Sequence, residues 1–513
     1  MRIGCRSGAV PAAASLALAL ALLAAGCTGT PDAKAPEPTA PSSPSGTREV
    51  ARVCEKPAAG PAKAPAGAVT VDPAVVGDLA DKTRNSPAGT TFWLRPGKHR
   101  LASDRYSQVV PKEGNRYLGA PGAVLDGRKT NQYAFGGAAR DVTISHLTVQ
   151  GFDAPHDEGV VNHDSADGWV IEHATIQRNS GAGLMAGDRQ QVRASCLRDN
   201  GQYGINAYKG NGVINDLVVE GNEITGNNTG DWERKRPGCG CTGGVKFWAV
   251  QGADVRGNWV HHNRGTGLWA DTNNNDFLIE DNVLEGNDGA ALIYETSYNA
   301  VVRENTVRRN NWVEGRENTD GGDDFPYATV YISESGGEPR VEARTDRIEI
   351  YRNVLEDNWS GITLWENADR FCNSPANTSS GDCTLLVEDV DRCVRPAIAS
   401  APLYADCRWK TQRVDIHDNR FTLDKSVVEC TDGCDRMALL ANYGTYPDWS
   451  PYQGERVAEA VTLRQDNRWH DNVYVGPWKF VAHDPSRVLD FGQWRGAPYR
   501  QDADSSLRAG DGD

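Results

Sequence analysis

Along most of the chain, apolar and polar residues alternate in short runs that are broken by Gly, Asn and Asp. Val142-Thr-Ile-Ser-His-Leu-Thr-Val149, Trp169-Val-Ile-Glu-His-Ala-Thr-Ile176, Val192-Arg-Ala-Ser-Cys-Leu197 and Val301-Val302-Arg303-Glu304 are of this kind. A period of two with turn-forming breaks predicts many short strands, each with one face turned inward. Val71 to Arg84 differs. Its apolar residues fall at helical spacing and predict one short helix at the start of the strand-rich region.

The strands recur in register with a pair of asparagines. Asn222-Glu-Ile-Thr-Gly-Asn227 returns as Asn258-Trp-Val-His-His-Asn263, Asn282-Val-Leu-Glu-Gly-Asn287, Asn305-Thr-Val-Arg-Arg-Asn310 and Asn353-Val-Leu-Glu-Asp-Asn358, with Asn467-Arg-Trp-His-Asp-Asn472 as a late copy. Successive copies lie 24 and 23 residues apart, then 48, which is two coils or one coil with an insertion. A repeat of this length signals a solenoid. Three short strands per repeat, with Gly and Asn at the corners, signal a parallel β-helix, because those residues tolerate the left-handed backbone of sharp turns. Each coil buries its inner face only against its neighbours, so one continuous core runs the length of the stack. Crossover connections between parallel strands are right-handed, which sets the expected hand. The helix at the start would cover the open first coil, whose strand edges are otherwise unpaired.

These repeats resemble those of the pectate-lyase-like superfamily of right-handed parallel β-helix proteins. Gly243 to Asn310 is especially similar to a group of secreted actinobacterial β-helix proteins. The resemblance implies an all-β fold, a single right-handed parallel β-helix solenoid with a short N-terminal capping helix and loop insertions. It covers residues 68–495. It leaves the reaction open, since the superfamily holds polysaccharide lyases, glycoside hydrolases, uronate epimerases and binding proteins.

The asparagine pairs recur in every coil, whereas an active site is made once, so they are read as corner residues whose amides stack from coil to coil. The strand after the second Asn is more informative. Its copies are Gly204 to Tyr208, Gly244 to Trp248, Gly267 to Asp271, Ala291 to Glu295, Thr329 to Ser333 and Gly361 to Trp365. Alternation turns the third and fifth residue of each outward. That gives a stripe of Asn206, Tyr208, Lys246, Trp248, Trp269, Asp271, Ile293, Glu295, Tyr331, Ser333, Thr363 and Trp365. Indoles and phenols stack on sugar rings, and charged neighbours bond the hydroxyls. Asn206, Tyr208, Trp248, Trp269, Tyr331 and Trp365 are therefore candidate glycan-binding residues, or else aromatics packed beneath loops. Asp271 and Glu295 hold equivalent places in successive coils about 4.8 Å apart. As a close carboxylate pair they could act as acid and base, hold Ca²⁺, or be a solvated pair. Lys246, one coil earlier, could take the C5 proton of a uronate, neutralise its carboxylate, or pair with Asp271. Insertions at Asn228–Gly243, Asn311–Tyr327 and Asn367–Lys410 leave the coil beside this strand and would wall the stripe.

Two further motifs carry resemblances. Asn318-Thr-Asp320-Gly-Gly-Asp323-Asp324 is similar to the first carboxylate motif of polygalacturonase-type hydrolases. The Gly-His-Gly and Arg-Ile-Lys that accompany it there are missing here, so Asp320, Asp323 and Asp324 are read as a solvated loop or a candidate Ca²⁺ loop. Gly151-Phe-Asp153-Ala-Pro-His156-Asp157 resembles the Asp-Pro-His-Asp signature of alginate epimerases and lyases, interrupted by Ala154.

Composition adds location. An apolar run from Ala9 to Gly26 follows Arg2 and Arg6 and ends Leu-Ala-Ala-Gly-Cys27, a secretory pattern whose ending resembles a bacterial lipobox. Residues 1–26 are then a signal peptide and Cys27 a lipidation site. Residues 27–67, rich in Pro, Ala and Ser, form a tether, and 496–513 a flexible polar tail. Export implies an oxidising compartment. Ten cysteines remain beyond Cys5 and Cys27, six of them in the C-terminal third, where local disulfides are expected. The net charge of −15 offers no basic footprint for nucleic acid and disfavours polyuronates unless Ca²⁺ bridges them. The expectation is a monomeric, membrane-tethered polysaccharide-active protein, lyase or hydrolase. A non-catalytic glycan binder and a C5-epimerase are the alternatives.

Overall fold

A computed structural model describes residues 50, 52–210, 212–241, 243–322, 325–377 and 382–510. The chain winds through three long sheets, two of 13 strands and one of 11. The first runs from Val69–Val71 to Arg468–His470 and the second from Gly97–His99 to Ser506–Arg508. The third runs from Gly159–Val161 to Lys479–His483, and Val488–Leu489 closes it as its one antiparallel strand. Neighbours in each sheet come from successive coils and pair in parallel, as Leu278 with Val301 and Val301 with Glu349.

The asparagines form two ladders. In one, the Asn222 side-chain N–H donates to Asn258 Oδ1 at 3.0 Å, Asn258 to Asn282 at 2.9 Å, Asn282 to Asn305 at 3.0 Å and Asn305 to Asn353 at 2.9 Å. The other passes through Asn227, Asn263, Asn287 and Asn310. All are buried, and each amide also donates to a main-chain carbonyl, so the corner carries no orphaned polar group. Since Asn305 bonds directly to Asn353, their 48-residue gap is one coil with insertions. The late copy is displaced by one corner. Asn472, not Asn467, continues the first ladder by accepting from Asn419.

The helix at the start spans Asp78–Asn85 and lays Leu79 and Thr83 inward, Thr83 beneath the Tyr117 hydroxyl at 3.3 Å. Two expected boundaries move. The tether does not reach residue 67: Cys54 is joined to Cys196, Trp93 Nε1 donates to the Pro61 carbonyl at 3.0 Å, and His146 bonds the Ala58 carbonyl. The tail is not loose either. Ser506–Arg508 adds a strand to the second sheet, and buried Asp502 accepts from Trp494 Nε1 and the Tyr474 hydroxyl. In both segments a few anchoring side chains outweigh a polar composition.

Five disulfides join all ten cysteines in the described residues. Cys372–Cys383, Cys393–Cys407 and Cys430–Cys434 are local, as is Cys239–Cys241, while Cys54–Cys196 closes a separation of 142 residues.

The sheets differ in how they meet solvent. First-sheet strands such as Asn275–Glu280 alternate buried and half-buried residues. In the third sheet Ile205–Ala207 and Val245–Phe247 are buried on both faces. The inner face packs on the core. The outer face lies under the insertions; a further segment unforeseen from the repeat, 334–347, bonds to first-sheet residues such as Asp254 and Asp276.

Candidate functional site

The outward face of the third sheet carries two columns of side chains, each in register from coil to coil. Asn206 is the register partner of Lys246, Lys246 of Trp269, Trp269 of Ile293, Ile293 of Tyr331, and Tyr331 of Thr363. The second column holds Glu295, Ser333 and Trp365 in register, with Asp271 one residue beyond Ala270, the partner of Tyr294.

Around Trp269 the charged groups interlock. Lys246 Nζ lies 2.7 Å from Asp271 Oδ2, donates to the Gly240 carbonyl at 2.8 Å, and stands 3.8 Å from the Trp269 ring centroid. The Trp269 Nε1–H donates to Glu295 Oε2 at 3.0 Å. Arg370, from the third insertion, is ion-paired with the other oxygen of Glu295 and lies 3.6 Å from Glu334. The Thr272 hydroxyl donates to Asp271 Oδ1 at 2.9 Å. Each carboxylate of the expected pair thus has its own cation. All four charged side chains are only 10 to 15% exposed. Ion pairs this covered are costly to break from one side.

Arg370 and Glu334 were missed by sequence reasoning, because neither sits in the outward column. Glu334 follows that column by one residue, and is fully buried. Its carboxyl accepts from the Ser333 hydroxyl and from the Asn367 N–H at 3.1 Å. Burial pushes it up to about 7, with Arg370 opposing and Glu295 adding to the rise. Asp382, also on the third insertion, is raised by burial and then by the charge of Asp271. Tyr331 is held far above the usual phenol range by burial, Glu334 and Glu295.

The aromatics divide into two groups. Tyr331 stacks with Trp365 at 5.8 Å between centroids, and Phe325 packs edge-on against both. Trp365 and Phe325 also border the small apolar cluster of Ala438, Leu440 and Val481. These two stripe aromatics are packed beneath the second insertion. At the other end Tyr208 is 39% exposed, and half-buried Trp248 meets it edge-to-face at 6.3 Å. Asn206 and Lys246, expected outside and open, are buried instead. Asn206 Nδ2 donates to the Asp157 carbonyl at 3.0 Å, and Lys246 is roofed by Gly240. The outward direction is as expected; the loops take away the solvent.

Asp320 is exposed at the end of the helix Trp312–Asp320, while Asp323 and Asp324 lie outside the described residues, as does Cys27. Within the same insertion Glu314 accepts from the Tyr327 hydroxyl at 3.1 Å. Burial lifts its carboxyl to about 7, with Asp288 and Glu233 adding. Asp153 accepts from the Ser180 hydroxyl at 2.8 Å. His156 turns away from it, to Cys241. A cavity of about 630 Å³ opens at the C-terminal end beside Trp469, Tyr499 and Arg500, and no stripe residue lines it.

A family model described as a right-handed β-helix region matches residues 158–342, which hold the first part of both asparagine ladders and most of the stripe. The fold is a right-handed parallel β-helix. Among solved structures, this β-helix is similar to the A-module of the mannuronan C-5 epimerase AlgE6 of Azotobacter vinelandii. Identity is 13%, over 74% of this chain and 93% of that one, with a TM-score of 0.41. It is also similar to the catalytic unit of a GH87 α-1,3-glucanase from Streptomyces thermodiastaticus, at 15% identity, 59% and 66% coverage and a TM-score of 0.35. For pectate lyase Pel9A the values are 12%, 56% and 72%, and 0.29. A search of curated proteins finds no match to the β-helix chain. Among the described residues no helix is long and apolar enough to cross a membrane.

Proposed function

We propose that the third-sheet stripe is the working site of an exported polysaccharide-active protein, and that it hydrolyses an uncharged glycan. The observation that carries this reading is the placement of Asp271 and Glu295 in adjacent coils on either side of one indole, Trp269. Glycoside hydrolysis uses two carboxyls flanking one bond, and a spacing of about 5 Å suits a retaining course. Asp271, ion-paired with Lys246, is assigned as the carboxyl facing the anomeric carbon. Glu295, held by the Trp269 N–H and by Arg370, is the second carboxyl of the pair. The Tyr208–Trp248 pair is the exposed sugar platform. The two cations here, Lys246 and Arg370, are each already ion-paired with a carboxylate, Asp271 and Glu295. That pairing leaves neither cation to neutralise a uronate and supports a neutral substrate. Lys246 donates to Asp271 and to Gly240, which leaves it poorly placed to take a C5 proton.

The five disulfides support an oxidising compartment, and an acyl group on Cys27 would hold the solenoid at the outer membrane face. A second reading, a glycan-binding protein without chemistry, is favoured by the ion pairing of both carboxylates and rests on the exposed Tyr208–Trp248 pair.

A panel of neutral and uronate glycans, scored for reducing ends and for ultraviolet-absorbing products with and without EDTA, separates these readings. Hydrolysis predicts reducing ends from a neutral glycan, lost in Asp271→Asn and Glu295→Gln and indifferent to EDTA. Unsaturated products would make the protein a lyase. Binding that survives both substitutions without product would make it a binder.

A further inference from the structure

The first insertion brings together residues that sequence spacing keeps apart. His156 Nε2 lies 3.0 Å from Cys241 Sγ, across 85 residues of chain. Cys239 Sγ lies 3.5 Å from Glu233 Oε2, which also accepts the Cys241 N–H at 3.3 Å. The nitrogen of His156 and the sulfurs of Cys239 and Cys241 all lie within 4.8 Å of one another. Cys241 is buried and His156 half-buried, its ring edge-on to Trp232 at 4.5 Å between centroids.

The other ring nitrogen is equally informative. His156 Nδ1 is 2.7 Å from Asp157 Oδ2. Arg236 is more distant, at 3.5 Å. Asp157 is itself held, since Gln202 Nε2 donates to its Oδ1 at 2.7 Å and its own N–H donates to Gln202 Oε1 at 2.7 Å. Asp157 and Arg236 thus occupy the Nδ1 side of the ring and leave Nε2 facing the sulfurs. That arrangement orients a metal-binding imidazole.

We propose that Cys239, Cys241 and His156 bind one thiophilic cation, Zn²⁺ or Cu⁺, in the dithiol form of the chain. Two thiolates and one imidazole supply three positions of a d¹⁰ ion, and solvent completes a tetrahedral set for Zn²⁺. In the structure the two cysteines are joined as a disulfide. A dithiol reductant opens it: the S–S bond takes two electrons and two protons, and the reductant leaves as its own disulfide. The thiols then release their protons as the cation binds. Gly240, between the two cysteines, is the residue whose carbonyl receives Lys246 Nζ at 2.8 Å and the Tyr203 hydroxyl at 2.9 Å. The metal site and the stripe therefore share one loop. The proposal itself does not depend on which glycan the stripe takes.

The test uses the full chain, treated anaerobically with a dithiol that is then removed, and Zn²⁺ alone titrated against a chromophoric chelator. Wild type should bind one equivalent more than Cys239→Ser/Cys241→Ser. His156→Ala should weaken that equivalent by about tenfold or more, since even a second-shell change costs about that much. Independently of any variant, Zn²⁺ should protect Cys239 and Cys241 from alkylation, read by peptide mass spectrometry. Equal zinc in wild type and the double-serine protein, unchanged affinity in His156→Ala, or undiminished labelling overturns the proposal. So does a pair that stays oxidised until the chain unfolds.

Discussion

Trp269 donates its Nε1–H to Glu295 Oε2 across 3.0 Å, so a tryptophan of one coil holds a carboxylate of the next while Lys246 covers its ring. Trp269→Phe keeps the ring beneath the ammonium and removes the donor. A hydrogen bond to a charged group is worth about 1.5–3 kcal/mol, so kcat on the glycan should fall about 10- to 100-fold with little change in KM. An unchanged kcat would mean that the indole N–H does not position Glu295 for chemistry.

The pair of Lys246 and Asp271 is nearly covered on both sides, at 10 and 11% side-chain exposure. Lys246→Met strands a carboxylate and should cost about 3 kcal/mol in urea denaturation. Lys246→Met/Asp271→Asn removes both charges and should recover most of that loss. Additive losses in the double-mutant cycle would show that the two groups do not depend on each other.

Glu334 titrates near 7 in the folded chain because burial penalises its anion. The unfolded carboxyl titrates near 4.5. Between those values the folded state binds more protons than the unfolded one, so the stability cost of Glu334 grows as pH rises through this window and is complete above it. Glu334→Gln should therefore be more stable, relative to wild type, at pH 8 than at pH 5. Chemical denaturation at the two pH values measures the difference, and a pH-independent gap contradicts the assignment.

Asn282 Oδ1 receives both the main-chain and side-chain N–H of Asn258, and its own amide donates to Asn305 and the Val255 carbonyl. Asn282→Ala leaves buried partners unsatisfied in the coils on either side. It should destabilise the solenoid by about 3 kcal/mol, read by thermal and urea unfolding. Substitution of exposed Asp320, which takes part in no such ladder, should stay within about 0.5 kcal/mol.

Cys54 and Cys196 close a separation of 142 residues, and this bond clamps the segment before the first strand to the side of the solenoid. Cys54→Ser/Cys196→Ser should lose about 2–4 kcal/mol and expose residues 52–67 to limited proteolysis, with the coils themselves still resistant. Cleavage spreading into the coils at the same rate would show that the clamp supports the whole stack.

The sequence by itself determined the coil, its strands, the two asparagine ladders and the column that holds Lys246, Trp269, Asp271 and Glu295. These are periodic features, and a period of two within a repeat of about two dozen residues settles which side chains point in and out with no knowledge of distant contacts. Only the tertiary structure decided what meets that column. Arg370 reaches Glu295 from 75 residues away and His156 reaches Cys241 from 85, both through insertions that obey no period. Where an insertion lands depends on packing against the finished coil. For that reason the covering of Tyr331 and Trp365, the burial of Glu334 and the ordered C-terminal segment could be seen only once the chain had folded.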